Sequence, residues 1–417
     1  MKREGRNHIP RRPMEESNWY LRYLSPASRL SIIAGESADD DCSTPSDVKI
    51  ADEFFNTFRV YWSVFQDLKR IVLEQNIHDP QKKDIMGHSS NVELLILGVL
   101  FYCGFDTTFT FLYSQTNIDA ETHRTFHHKV TGAFYNMKDQ YIYLPRTEEE
   151  LSFVAGEYDA VGFPGCAGSI DVVHFAWGNC PHAWLPIYKG KEAVPTIGFQ
   201  VVVTNRRFIQ HVSDGFPGTW NDSCSVKYDC AVKGLQPGGS SWLRSVKWAV
   251  LTDSGTECFE GCYFICDGGY LRWQSLVSPY EVPSVKKLEK YRGILAAVRK
   301  DVECTFGGMK KKFRSLKGWT SFKTVKNIQN HVVFCCILHN IMLKANGYLD
   351  VHYEHKGGVM QQIKRRFQKY NTDCDGCFVR ANRSSQSPVT DTTKQKNEWK
   401  RRVLAIASHQ TILANRN

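Results

Sequence analysis

The 417-residue sequence predicts an α/β protein with an all-helical N-terminal part, and three observations carry that reading. Between residues 51 and 135, apolar side chains recur at three- and four-residue steps in short stretches bounded by capping residues. From about Phe163 the period shortens to that of strands. From Ser284 it lengthens again into two helical patterns, Ser284–Phe313 and Ser321–Lys344.

Residues 1–50 are polar and charged, with a Ser- and Asp-rich stretch from Ser37 to Asp47. They read as a mobile segment apart from the Trp19–Leu24 aromatic patch, which is suited to docking on the body. Phe54, Phe55, Phe58, Tyr61, Trp62, Phe65 and Leu68 then make one amphipathic helical face. Ser89, Ser90 and Asn91 are good N-caps for a second helix, Val92 to Tyr102, which Gly104 ends. A third fits Thr107 to Tyr113. After a turn at Asn117–Asp119, a fourth from Ala120 to Phe134 carries His123, Arg124, His127, His128 and Lys129. Short helices with a basic last member resemble a helix-turn-helix, and residues 51–145 are read as such a DNA-binding domain. A small helical bundle with a solvated basic face fits the same pattern.

Gly168–Trp177, Ile197–Thr204 and Phe208–Asp214 read as an antiparallel meander, with Asn205-Arg206 as one of its turns. Ser223 to Glu260 shows no sustained period. Cys262 to Cys266 reads as a buried strand ending at Asp267-Gly268-Gly269. A meander, a further strand and then helices is the order expected of a ribonuclease-H-like core, a mixed five-stranded sheet flanked by helices, placed at residues 146–345. Residues 346–417 read as a loosely ordered basic tail with a terminal helix at Asn397–His409. Its clusters Lys364-Arg365-Arg366 and Lys400-Arg401-Arg402 suit nuclear localisation or phosphate contacts, or are solvated faces.

Bulk properties narrow the class. The formal net charge of +10 favours a polyanionic partner without requiring one. No apolar stretch follows the basic N-terminus, so no signal peptide is expected. The longest apolar run, Val332 to Leu343, is shorter than the roughly 20 residues of a membrane helix. The 14 cysteines are scattered, several in apolar surroundings such as Cys266, Cys335 and Cys336, which suits reduced thiols. The Cys374–Cys377 pair and the trio Cys258, Cys262 and Cys266 are weak zinc signals, because a structural site needs four ligands.

Three acids stand out by position. Asp171 lies in Ser169-Ile170-Asp171-Val172-Val173-His174-Phe175, a strand apolar on both faces. An ionised carboxylate there costs several kcal/mol unless it is paired with a Lys or Arg, or binds a metal. Asp267 closes a buried strand before two glycines, either as a ligand position or simply as the start of a turn. Glu303 sits on a helical edge with Arg299, Lys310 and Arg314, beside the buried stripe Val298, Val302, Phe306, Met309 and Phe313. Gly307-Gly308 would cost roughly 1 kcal/mol each inside a helix, which suggests close approach of a backbone or substrate, or a helix break.

The residues Gly162-Phe163-Pro164-Gly165, Gly168-Ser169-Ile170-Asp171, Trp220-Asn221-Asp222, Tyr263–Tyr270, Arg299–Glu303 with Phe306-Gly307, and Ile337–Met342 together resemble PIF/Harbinger-type DDE transposases, of the plant transposon protein group. The likeness covers roughly residues 50–345, and its third block, Arg299–Glu303, is the most specific part. It implies a ribonuclease-H-like fold and cut-and-paste DNA transposition. It also implies a triad of Asp171, Asp267 and Glu303 holding two Mg²⁺ or Mn²⁺ ions, and a separate Myb-like partner protein.

On that reading His174, Asn221 and Asp222 support the site. Arg299, Lys310, Lys311 and Arg314, with Arg124 and Lys129 from the helical domain, meet the phosphates of transposon ends and target DNA. The protein would work in the nucleus after cytoplasmic synthesis, self-associating as a homo-oligomer on paired ends. The rival is a domesticated, catalytically idle DNA-binding or interaction protein. A third reading keeps strand cleavage and drops the joining step.

Overall fold

The structure, a computed structural model, describes residues 13–37, 44–79, 89–280, 286–347, 379–380 and 392–415. Lys364-Arg365-Arg366, the Cys374–Cys377 pair and nearly all of the Ser384–Thr393 stretch lie outside the described residues. The chain divides into two compact units. The first comprises Met1–Met137, Lys310–Thr320 and Lys326–Cys335, and the second Lys138–Met309, Ser321–Val325 and Cys336–Asn417.

The first unit is helical: α1 (Pro26–Glu36), α2 (Pro45–Phe58), α3 (Trp62–Glu74), α4 (Val92–Phe105), α5 (Phe109–Thr116) and α6 (Ala120–Asn136). Side chains of Ser25, Thr44, Asn91, Thr108 and Asp119 accept the first free backbone N–H groups of their helices. Trp19 docks edge-on against Phe58 at 5.2 Å, as the aromatic patch suggested. The segment behind it is not loose, because Ser25 caps α1 and Ile32 is buried.

Two sequence readings need correction here. The aromatic repeat from Phe54 to Leu68 is not one helix. Arg59 adopts a left-handed conformation (φ 63°), and the chain turns so that Phe54 meets Trp62 across the corner at 5.2 Å. Nor do His123 and His127 join a basic face. They share the inward stripe of α6 with Phe126, Val130 and Phe134 and are buried, leaving Arg124 and Lys129 exposed. Where α4 passes the His123 ring it carries Gly98; a Cβ there would lie 2.5 Å from Nδ1.

The second unit is mixed α/β. After α7 (Glu148–Asp159) come β1 (Cys166–Ala176), the short α8 (Leu185–Tyr188), β2 (Thr196–Val203), β3 (Ile209–Val212) and β4 (Phe216–Pro217). Then follow α9 (Asp222–Ser225), α10 (Cys230–Leu235), β5 (Val246–Thr252), β6 (Gly255–Glu260), β7 (Tyr263–Ile265), β8 (Leu276–Val277), α11 (Lys286–Lys312) and α12 (Val325–Ala345), the end of α11 from Lys310 and the Lys326–Cys335 part of α12 belonging to the first unit. The main sheet runs β3-β2-β1-β7-β8, with β4 also on β2. β1, β2 and β3 form the antiparallel meander, and β7 and β8 continue it in parallel. One face packs Phe163, Tyr263 and Ile265 against Tyr291, Leu295 and Val298 of α11. The other packs Ile170, Val202, Phe264 and Leu276 against Val226 and Leu235.

Ser223 to Glu260 is not irregular. β5 and β6 form a hairpin through Asp253-Ser254, to which β9 (Val379–Arg380) adds a third strand. Trp248, Val250 and Thr252 are buried at alternate positions. The terminal helix α13 (Thr392–Asn415) is longer than expected and is no loose tail. Trp399, Val403 and Ile406 enter the core beneath Trp248 and Phe259. Arg402, read as part of a basic cluster, is 2% exposed and donates to the carbonyls of Gly261 (2.9 Å), Gln274 (3.1 Å) and Glu260. Gly307 and Gly308 do not break α11, and a Cβ on either would meet nothing within 4 Å. No described helix is long and apolar enough to cross a membrane.

Candidate active site

β1 and β7 are parallel neighbours in which Ser169 stands opposite Ile265. Asp171 and Asp267 each lie two residues further on. Side-chain alternation puts Asp171, midway along β1, on the Ser169 face, and Asp267, just past the end of β7, lies close enough for its charge to act on Asp171. The Ser169 face is the one α11 covers, and Glu303 follows Val298 along the same helix. Sheet pairing and helix packing thus bring together three acids that are remote in sequence.

Arg299 sits among them. Its Nη1 lies 3.1 Å from Asp171 Oδ2 and its Nη2 2.7 Å from Glu303 Oε1, so one guanidinium ties strand to helix. Asp171 Oδ1 accepts from the Val172 N–H at 2.9 Å. Burial pushes the Asp171 carboxyl up to about 6; Arg299 and the Val172 N–H oppose that shift, and the charges of Asp267 and Asp222 add to it. Asp267 Oδ1 accepts from the Gly269 N–H at 2.8 Å, closing the turn after β7.

Asp222, read from sequence as a supporting residue, belongs to this group. Ser223 Oγ donates to the Gly269 carbonyl, and the Asn221 side chain caps α9 by accepting from the Cys224 N–H at 2.9 Å. A Cβ at Gly269 would lie 2.9 Å from Asp222 Oδ2 and 3.2 Å from Asp267 Oδ1, so the two carboxylates flank one point. Burial, and then Asp267, raise the Asp222 pKa, while Lys191 and Arg299 lower it. Lys191 carried no signal in the sequence; only the fold shows it near the acids.

The other expected residues have their own surroundings. His174 is an odd number of residues from Asp171, so the pleat sends it to the opposite face, where Nδ1 is 3.1 Å from Thr196 Oγ1. Arg299 is engaged by two carboxylates rather than held out towards solvent. Lys310, Lys311, Arg314, Arg124 and Lys129 all belong to the first unit. There Arg124 pairs with Glu121 at 2.6 Å, Arg314 lies 5.9 Å from the Phe105 ring, and Lys311 and Lys129 are exposed.

The donor set of Asp171, Asp222, Asp267 and Glu303 is all carboxylate oxygen, the ligand type that hard divalent ions prefer. Like charges crowded in a half-buried site are also what a cation relieves. In this arrangement the guanidinium of Arg299 supplies part of that positive charge. In donor chemistry the residues present therefore suit Mg²⁺ or Mn²⁺, although no three of these carboxylates have oxygens within 4.8 Å of one another.

Residues 139–350 match the family model described as plant transposon protein. Over 238 residues the chain is 26% identical to a Rattus norvegicus protein named "Putative nuclease HARBI1", an alignment covering 56% of this chain. The chain spans 61% of the length of that curated relative. No solved structure matches the chain.

Proposed function

Since this chain belongs to the plant transposon protein family, we propose that it is a DDE-type nuclease that cuts DNA strands at transposon ends and joins them to target DNA. Asp171, Asp267 and Glu303 are its metal-binding triad. The observation that carries this reading is that parallel pairing of β1 and β7, through Ser169 and Ile265, brings Asp171 near Asp267 while Arg299 ties Asp171 to Glu303 on the covering helix. A meander continued by two parallel strands under a long helix supports a ribonuclease-H-like core. Working on DNA places the protein in the nucleus.

When bound, two divalent ions supply an activated attacking oxygen and stabilise the leaving oxygen of the phosphodiester. The chain's own residues prepare that site. Asp171 and Asp267 hold their carboxylates fixed, each through a backbone N–H, at 2.9 Å from Val172 and 2.8 Å from Gly269. Asp222, kept beside Asp267 by the Ser223–Gly269 contact, adds a fourth oxygen donor or orients its neighbour. Arg299 holds Glu303 towards Asp171 and limits the net charge of the carboxylate cluster. On the same helix Gly307 and Gly308 leave a bare surface where a phosphate backbone can approach.

Purified protein incubated with Mn²⁺ and a duplex carrying the element's end should nick it. Asp171→Asn and Glu303→Gln should each lower the rate by at least a hundredfold while circular dichroism stays unchanged. Nicking at the parental rate by either folded variant refutes the triad. Strand transfer from a pre-nicked end tests the joining step separately.

A further inference from the structure

A second group of potential ligands lies inside the first unit. Cys103 sits in the last turn of α4, His127 in the middle of α6, and His331 in the part of α12 assigned to this unit. One sulfur and two ring nitrogens from these residues lie within 4.8 Å of one another. Cys335, one helical turn beyond His331, brings a second thiol that hydrogen-bonds with the Cys103 side chain. All four are essentially inaccessible, at 0% exposure for Cys103 and Cys335, 0% for His127 and 2% for His331. Tyr102 packs edge-on against both rings, at 4.9 Å from His127 and 5.7 Å from His331.

We propose that Cys103, His127, His331 and Cys335 bind a structural zinc ion that clamps three helical segments of the first unit together. Two thiols with two imidazoles form a Cys₂His₂ set, the donor chemistry that selects zinc over Mg²⁺ or Mn²⁺. With zinc–nitrogen bonds of about 2.0–2.1 Å and zinc–sulfur bonds of about 2.3 Å, ligand atoms in a tetrahedron lie roughly 3.3–3.8 Å apart. For Cys103, His127 and His331 the present separations of up to 4.8 Å are within roughly 1.5 Å of that geometry.

A hydrogen-bond relay prepares one ligand. Ser315 Oγ donates to the Cys103 carbonyl at 2.9 Å, so at 2.9 Å from His331 Nε2 it acts as acceptor. Nε2 then carries the ring proton and Nδ1 keeps its lone pair for a metal, the outer-shell arrangement usual for a metal-bound histidine. The residues serve no role in the carboxylate site, and the inference does not depend on nuclease activity.

The test is metal content of the purified full-length chain, together with the absorption spectrum after Co²⁺ replacement. Wild type should carry stoichiometric zinc through mild EDTA treatment, and its Co²⁺ form should show thiolate-to-cobalt charge-transfer bands and tetrahedral d–d bands. Cys103→Ser and His127→Asn should lose the metal. His128→Asn, at the half-buried neighbour, and Asp171→Asn should keep it. A folded wild-type chain that stays substoichiometric in zinc-supplemented buffer and gives no thiolate band overturns the site. So does zinc retained unchanged in both Cys103→Ser and His127→Asn. Because the wild-type measurements stand alone, failure of a variant to fold leaves the proposal testable.

Discussion

Arg299 holds Asp171 at 3.1 Å, across the gap between a central strand and the helix that covers it. The same guanidinium reaches Glu303 four residues along its own helix. Both partners of the Asp171 pair are largely shielded from water, at 18% and 21% side-chain exposure. Removing the cation therefore leaves a shielded carboxylate with like-charged neighbours. Arg299→Ala should lose about 1.5–3 kcal/mol of stability by chemical denaturation. Saturating Mn²⁺ should raise its melting temperature more than it raises that of wild type, since an ion replaces the missing charge. Equal Mn²⁺ shifts in both proteins would separate Arg299 from the metal site.

Gly307→Ala and Gly308→Ala probe the bare surface of α11. A methyl group at either position meets no protein atom within 4 Å, so each should stabilise the fold by about 0.5–1 kcal/mol through helix propensity. If DNA runs along this surface, the same variants should lower cleavage severalfold while raising stability. Denaturation midpoints that fall would show a packing role for the glycines.

His123 predicts an acid-side loss of stability. It is 1% exposed, and burial pulls its pKa down to about 4, against roughly 6.5 in an unfolded chain. Thr116 Oγ1 gives its proton to the Leu112 carbonyl and accepts from His123 Nε2 at 2.8 Å, which puts a ring proton on Nε2; the lowered pKa keeps Nδ1 unprotonated near neutral pH. In this window the unfolded state binds the extra proton, and stability therefore rises with pH. The contribution is complete above about pH 6.5 and is lost as pH falls towards 4, a swing of about 3 kcal/mol. His123→Gln, which keeps an N–H donor, should show a shallower slope between pH 4 and 6.5 than wild type. Superimposable slopes would remove His123 as the cause.

Arg401 and Arg402 are adjacent in sequence yet opposite in consequence. Arg402→Ala deletes a buried cation that satisfies three carbonyls, and should cost several kcal/mol and loosen α13 from the sheet. Arg401 is half exposed and pairs with Glu257 at 3.3 Å, so Arg401→Ala should cost less than about 1 kcal/mol. Proteolysis near residue 391 that accelerates for Arg402→Ala and not for Arg401→Ala would check the contrast.

The contrast also marks what a sequence can reveal. Local signals gave the helix starts, because Asn91 and Asp119 cap helices wherever the remaining fold lies. β-rich apolar runs marked β1 and β2, and the i,i+4 spacing marked the Arg299–Glu303 pair. Asp171, Asp267 and Glu303 were singled out from their local settings, but nothing local contained the β1–β7 pairing that brings the aspartates near one another. Asp222 joins them only because α9 folds back on the turn after β7. The histidines of α6 looked like a polar face because imidazole is ambiguous by composition; their burial follows from sharing the stripe of Phe126 and Val130. Arg402 was misread for the same reason: a charge run does not disclose which of its members points inward.

The most direct test of the central claim is anomalous scattering from a crystal soaked in Mn²⁺. The account predicts two peaks about 3.5–4 Å apart between Asp171, Asp267 and Glu303, with the Arg299 guanidinium drawn away from Asp171. A well-ordered site without anomalous density, and with the Arg299–Asp171 pair intact at saturating Mn²⁺, would contradict it.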